Sequence, residues 1–240
     1  MIAELRPIKT EALKDICVAR FEELIISGKL SPGHKLPSER ELALQLGVSR
    51  PVVHEALVDI SSKGLVSLKP RVGAIVNDYR KDGSLALLNS LVNYRDGKLA
   101  PKLLDGLLEM RILFEMENAK LAARNRTDLQ ALELKKIVKK EADEDHRNID
   151  ILIELDFEFH LLLAMATDNF SYPLLLNSFK QVYTNLTGLF FRDASVISVV
   201  LEFHNNLADA VEKRDEKTAL KIMESLLSHG ERHLRSIIIE

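Results

Sequence analysis

The sequence has one cysteine, Cys17, so no disulfide can close within the chain, and a reducing compartment suits it. Tryptophan is absent, and aromatic residues make up 5% of the 240. A core must therefore be assembled from Leu, Ile, Val and Ala, within a hydrophobic share of 46%, which favours packed helices. With 10 glycines and 7 prolines, turn residues are too sparse for an all-β fold. No apolar run reaches the roughly 18–20 residues that cross a bilayer. The longest candidate, around Phe159–Ala166, is short and bounded by charge. Met1–Thr10 does not read as a secretory leader, because Glu4, Arg6, Pro7 and Lys9 deny it an apolar centre. The expectation is a mostly α, cytoplasmic protein with no membrane partner.

Charge is present in both signs but unevenly. The net charge is −3, and residues 1–80 carry +2 while the remainder carries −5. That division fits a DNA-binding head on an acidic body without establishing one, since a local patch suffices to meet phosphates.

The pattern of residues supplies the organisation. Glu11–Ser27 places Leu13, Ile16, Cys17, Phe21, Leu24 and Ile25 at helical spacing, and Gly28 ends it. A turn-rich stretch leads to a short helix opened by Ser38, with Glu41 three residues on as a capping box. A third helix opens at Ser49, another N-cap residue, with Pro51 in its first turn, and runs to Gly64. The period then shortens: Leu65–Lys69 and Gly73–Val76 read as two strands joined by a positively charged turn. Helix, short helix, turn, helix and charged hairpin make a winged helix-turn-helix over residues 1–78. Residues 79–83 read as a linker. From 84 onward only helical periodicity remains, with helices expected at 84–94, 101–124, 127–145, 149–167, 172–192, 196–213 and 215–238. The fold class is thus an N-terminal winged helix-turn-helix with a small β-hairpin wing and a C-terminal all-α bundle over 84–240. Charge-dense Lys135–Asp145 reads as a solvated helix face, and Met110, Met116, Met165 and Met223 read as core filler.

A groove-reading helix needs polar residues at its N-terminal end. Here those are Ser49, Arg50, Pro51 and His54. Arg50 can reach phosphate or the acceptor pair of a guanine, and Arg40 can meet the backbone or a base edge. Lys69, Arg71 and Gly73 form the wing tip. The string Gly28-Lys29-Leu30-Ser31-Pro32-Gly33-His34-Lys35-Leu36-Pro37-Ser38-Glu39-Arg40-Glu41-Leu42-Ala43, followed by Leu46-Gly47-Val48-Ser49-Arg50, closely resembles the GntR family of bacterial regulators. Glu55-Ala56-Leu57 and Gly64-Leu65-Val66 extend that resemblance over about 65 residues. It implies that Arg40, Ser49, Arg50 and the wing residues meet DNA. One position departs: where the family usually has Arg before Glu-Ala-Leu, this chain has His54, and a neutral imidazole cannot replace a permanent guanidinium charge.

The second part resembles the all-helical ligand domain of the FadR subfamily through Glu109-Met110-Arg111 with Glu115, Leu121-Ala122-Ala123, Asp156 to His160, and Ala210-Val211 to Asp215 with Ala219 and Met223. Asp156 and His160 are four apart and share a helix face, where they form either a hydrogen-bonded pair or part of a divalent-metal site. In metal-binding members two further His complete the site. His204 matches the third ligand, and the fourth position falls on Leu226, with His229 and His233 one and two turns beyond. A metal held by Asp156, His160 and His204 would be Zn, Ni or Mn. Arg111, in an apolar stretch, either pairs with Glu115 or forks a carboxylate effector, with Tyr183 and Asn205 as further lining candidates.

The resulting expectation is a homodimeric, non-enzymatic transcription regulator. It binds double-stranded, palindromic operator DNA and answers to a small organic acid, with Asp156, His160 and His204 open to a divalent metal. Two rivals stand beside it: an acyl-CoA-responsive regulator of fatty-acid metabolism, and a metal-dependent enzyme using the same cluster to activate water.

Overall fold

The computed structural model describes residues 12–93 and 101–238. The opening segment Met1–Thr10, where no leader was expected, lies outside them. The chain divides into two compact units, Met1–Asp96 and Gly97–Glu240.

In the first unit, α1 (Leu13–Ile26) turns Cys17, Phe21 and Ile25 into the core. Burial pushes the Cys17 thiol pKa up, as suits an inert packing residue. Gly28, at φ 77°, closes the helix while the Leu30 N–H donates to the Leu24 carbonyl. The next helix, α2 (Glu39–Leu46), has the expected capping box: the Ser38 hydroxyl accepts from the Glu41 N–H, and the Glu41 carboxylate accepts from the Ser38 N–H. Helix α3 (Arg50–Ser62) begins after Ser49, whose backbone is extended as an N-cap should be. The Ser49 side chain makes no capping bond, however, so the expected cap chemistry is absent there. Val53, Ala56, Leu57 and Ile60 are the buried stripe of α3.

The wing is β1 (Val66–Lys69) paired antiparallel with β2 (Gly73–Val76), Val66 opposite Val76 and Lys69 opposite Gly73. The segment before α2 lies along the other edge of β2: the Leu36 N–H donates to Ala74 and the Val76 N–H to His34. At the wing tip the Val72 N–H donates to the Lys69 carbonyl, with Arg71 at φ 62°. That is the turn position that glycine or asparagine usually fills after a proline at Pro70. Residues 79–82, expected as linker, form a helical turn, α4 (Tyr79–Asp82), capped by Asp78. Helix α5 (Ala86–Asn93), expected in the helical body, packs on this unit instead. Leu87 is buried in its core, and Ser90 donates to Glu22 of α1.

The second unit is helical throughout its described residues: α6 (Pro101–Asn125), α7 (Asp128–Asp143), α8 (Ile149–Ala166), α9 (Ser171–Ser178), α10 (Lys180–Phe190), α11 (Ser195–Glu212) and α12 (Glu216–Ile238). Residues 172–192 were expected as one helix. The Phe179 N–H is shared between the Leu175 and Leu176 carbonyls, and that tightened turn separates α9 from α10. Helix α8 is the centre, packed by α6, α7, α9 and α10, which is why it is apolar on nearly every side. Buried Arg126, just after α6, donates to the Val211 and Glu212 carbonyls at the end of α11, while Arg214 donates to the Arg124 and Arg126 carbonyls. Each guanidinium thus satisfies the orphan carbonyls of the other helix. Of the methionines read as core, Met223 is fully buried, but Met110 and Met165 are exposed. Helical spacing puts them on one side of a helix without saying whether a neighbour covers it.

Candidate functional site

Helix α8 carries two ionisable residues, Asp156 and His160, into an otherwise apolar centre. Such burial is tolerated only when the groups are paired and hydrogen-bonded. Helix α11 brings His204 beside them, and one ligand atom from each of the three lies within 4.8 Å of the others. His204 Nε2 is 3.7 Å from Asp156 Oδ1, and the two imidazole rings are 5.4 Å apart at 73°. Phe159 stacks on the His204 ring at 4.1 Å and holds its plane.

Each imidazole is anchored from behind by a buried carboxylate. His160 Nδ1 is 2.8 Å from Glu115 Oε2 on α6, and His204 Nδ1 is 3.0 Å from Glu141 Oε1 on α7. A carboxylate accepts, so both Nδ1 atoms carry hydrogen and both Nε2 atoms are directed elsewhere. Neither Nε2 atom has a hydrogen-bond partner, although both rings are fully buried. Burial alone would lower the His204 pKa, but the Glu141 carboxylate, followed by Asp156 and Glu115, holds the imidazole above its usual value. Burial would likewise raise Glu115, and His160, followed by Arg111, keeps it low.

Asp156 Oδ2 accepts from the Tyr183 hydroxyl at 2.7 Å, and Tyr183 in turn accepts from Arg111 Nη2 at 3.2 Å. Burial and the Asp156 charge push the Tyr183 phenol well above its ordinary range, so it stays a donor. Arg111 also lies 3.8 Å from Glu115 Oε1. Arg111 and Asp156 line a cavity of about 20 Å³, closed by Thr187, Phe190, Leu226 and Gly230. That volume holds one water-sized species. The donor set of a carboxylate and two carboxylate-backed imidazoles with outward Nε2 atoms is the arrangement that divalent metal sites use. The residues present therefore fit a metal.

Leu226 lines this cavity at the position where the family resemblance expects a fourth ligand. His229 and His233 do not take its place. They sit on the neighbouring stripe of α12, packed edge-on to Phe190, with His233 Nε2 3.5 Å from Asp193. Asn205, expected to line the pocket, is exposed because its neighbour His204 takes the inward position on α11. Glu141 corrects the reading of Lys135–Asp145 as a solvated face, since it is 1% exposed. It continues the buried stripe Ala131, Leu134 and Val138, so the signal was in the spacing. Asn118, also fully buried on α6 and lacking side-chain partners, carried no signal beyond its place in an apolar stripe.

In the first unit, Arg40, Ser49, Arg50, Pro51, His54, Lys69, Arg71 and Gly73 are all exposed. A groove runs between the start of α2, the start of α3 and the wing, lined by Arg40, Arg50, Arg71 and Gly73. Two acidic residues, Glu39 and Glu41, also line it, and Glu39 is the one paired with α3. Its Oε2 accepts from Arg50 Nε at 3.0 Å, and its Oε1 is 2.7 Å from His54 Nδ1. His54 and then Arg50 hold the Glu39 carboxyl below its usual range.

A winged helix-turn-helix followed by a helical unit with an enclosed polar cluster defines a DNA-binding regulator with its own sensor domain. Residues 14–76 match the model of the gntR family of bacterial regulatory proteins, and residues 77–233 match the FadR C-terminal domain. The chain belongs to the gntR family, in the group with a FadR C-terminal domain, and is a ligand-responsive, DNA-binding transcription regulator. It is 28% identical over 240 residues to the HTH-type transcriptional regulator Mce2R of Mycobacterium tuberculosis, covering 98% of this chain and 97% of that one. It is 31% identical over 192 residues to the fatty acid metabolism regulator protein of Klebsiella pneumoniae, covering 79% and 77%. Among solved structures it is similar to Lar, which controls the agr system of Listeria monocytogenes. There the TM-score is 0.67 at 17% identity, covering 96% of this chain and 100% of the other. Among the described residues no helix is long and apolar enough to cross a membrane.

Proposed function

We propose that this regulator senses a small organic acid through a divalent metal held by Asp156, His160 and His204, and binds a palindromic operator as a homodimer in the cytoplasm. The observation that carries the sensor reading is the pair of buried Nε2 atoms, each fixed by a carboxylate behind it and facing Asp156 without a hydrogen-bond partner. A bound Zn, Ni or Mn ion would supply Lewis acidity toward an oxygen ligand. The chain's own residues do the rest. Glu115 and Glu141 orient the rings, Tyr183 holds the second oxygen of Asp156, and Arg111 offers a guanidinium to a carboxylate entering beside it. With Leu226 in the fourth position, water or an effector oxygen would have to complete any coordination there.

The cavity is too small for an organic acid as it stands, so entry requires the helices that line it to move apart. Such displacement gives the effector a state to select, and linkage then ties its affinity to that for DNA. We take the cluster to serve sensing and not turnover, because it lies in an enclosed space with room for one small species. A fatty-acid derivative such as an acyl-CoA is the rival effector, brought in by the name of the Klebsiella relative. The charged part of the lining favours the acid, since a hydrocarbon chain would leave Arg111 and Asp156 facing apolar surface. Native mass spectrometry of the full chain purified from cells tests all of this together. Dimer mass with one first-row divalent ion per chain is expected. An acyl-CoA adduct without metal would replace the proposal by its rival.

A further inference from the structure

The Glu39 carboxylate on the DNA-facing side of the head does more than pair with arginine. Its two oxygens are divided, Oε2 to Arg50 Nε and Oε1 to His54 Nδ1. Held below its usual pKa, it is ionised at neutral pH and has no hydrogen to give. The hydrogen in the His54 contact must therefore sit on Nδ1. In the neutral ring this leaves Nε2 with a lone pair, so the other nitrogen is an acceptor. His54 is one turn after Arg50 on α3 and outside the buried stripe of Val53, Ala56, Leu57 and Ile60. Its side chain is 58% exposed, so the acceptor is available to a partner.

The major-groove edge of each base defines what such an acceptor selects. Adenine N6 and cytosine N4 donate hydrogen there, whereas guanine and thymine present keto oxygens that accept. An arginine at the same position donates only, and favours guanine. An acceptor set against a keto oxygen leaves both desolvated and unpaired. We infer that His54 is a specificity-determining residue: with Glu39 fixing its tautomer, it selects an amino base, adenine or cytosine, at one position of each operator half-site. The inference rests on α3 lying in the major groove, as the proposed operator binding requires. It adds which base class this chain's own substitution selects.

The test is selection from a randomised duplex library with the full chain at about pH 8. It is repeated with His54→Ala, His54→Arg and Glu39→Gln, with thermal melting to confirm that each variant is folded. The wild type should enrich adenine or cytosine about 5- to 10-fold over the keto bases at one position per half-site, the discrimination of a single hydrogen bond. His54→Ala should erase that preference, and His54→Arg should move it to guanine. Glu39→Gln, whose amide both donates and accepts, should flatten it by freeing the tautomer. Identical motifs for wild type and His54→Ala, or a keto base at the position that His54 controls, would overturn the inference while leaving operator binding intact. Failure of the wild type to enrich any motif would overturn the groove placement and this inference with it.

Discussion

Glu141 shows how one residue is committed to another's orientation. It is buried, it has a single imidazole as its partner, and that imidazole faces the cluster with its far nitrogen. Removing the carboxylate leaves His204 free to exchange tautomers and to rotate, and it leaves a buried N–H without an acceptor. For ligands oriented in this way, loss of the backing group typically weakens metal binding about 10- to 100-fold. Glu141→Ala is therefore expected to lower metal affinity by that factor while leaving operator affinity of the metal-free protein unchanged. Calorimetric titration of both proteins measures the first, and a mobility-shift titration the second. Equal metal affinity in the two proteins would mean that Glu141 is a packing residue with an incidental contact.

At the scale of elements, the register of α12 decides what the cavity contains. Leu226, Gly230 and Leu234 fall on the stripe that lines it, and His229 and His233 fall one stripe away against Phe190. No sliding of side chains brings either histidine in, because a helix rotates successive residues by about 100°. Leu226→His should accordingly raise metal affinity by adding a ligand on the inward face, read by the same calorimetric titration. Binding of a first-row divalent ion by neither protein would mean that the cluster is a hydrogen-bonded network and not a metal site. Helix α3 carries the matching prediction for the head. Arg50→Ala is expected to weaken operator binding by about 1–3 kcal/mol if the guanidinium reads a base edge, and by less if it meets phosphate alone. A mobility-shift titration without change would remove Arg50 from the interface. The wing contributes differently. Arg71 holds a positive φ that a glycine would adopt more readily, and it keeps a cation at the tip of the turn.

At the scale of the whole molecule, the sensor unit does not depend on an ion for its core. Most of what helix α8 buries is its own Leu, Phe and Ala side chains, and Asp156 and His160 are a minor part of it. A chelator should therefore strip any bound ion without unfolding the unit. It should lower the thermal midpoint only by the mass-action contribution of a ligand that binds the native state. Differential scanning calorimetry with circular dichroism on the full chain checks this. Loss of helical signal on chelation at room temperature would show instead that the metal is structural.

Much of this protein was determined along the sequence by itself. The capping box at Ser38, the glycine after α1 and the period change into the hairpin are local matters, because caps and turns are satisfied within a few residues. The winged head and the placement of Asp156 and His160 on one helix face were legible for that reason, although their hydrogen-bond partners, Tyr183 and Glu115, come from other helices. Tertiary structure decided the rest. Whether Met110 and Met165 are covered, whether 172–192 bends at Phe179, and whether α5 packs on the first unit all depend on a partner element distant in the chain. The same holds at the sites. Glu141 reaches His204 across sixty-three residues, and Asn205 faces outward because one neighbour can point in and the next cannot. Spacing defines a stripe, but only packing chooses which side of it is dry, and a buried charge takes its partner from whichever helix that packing brings within reach.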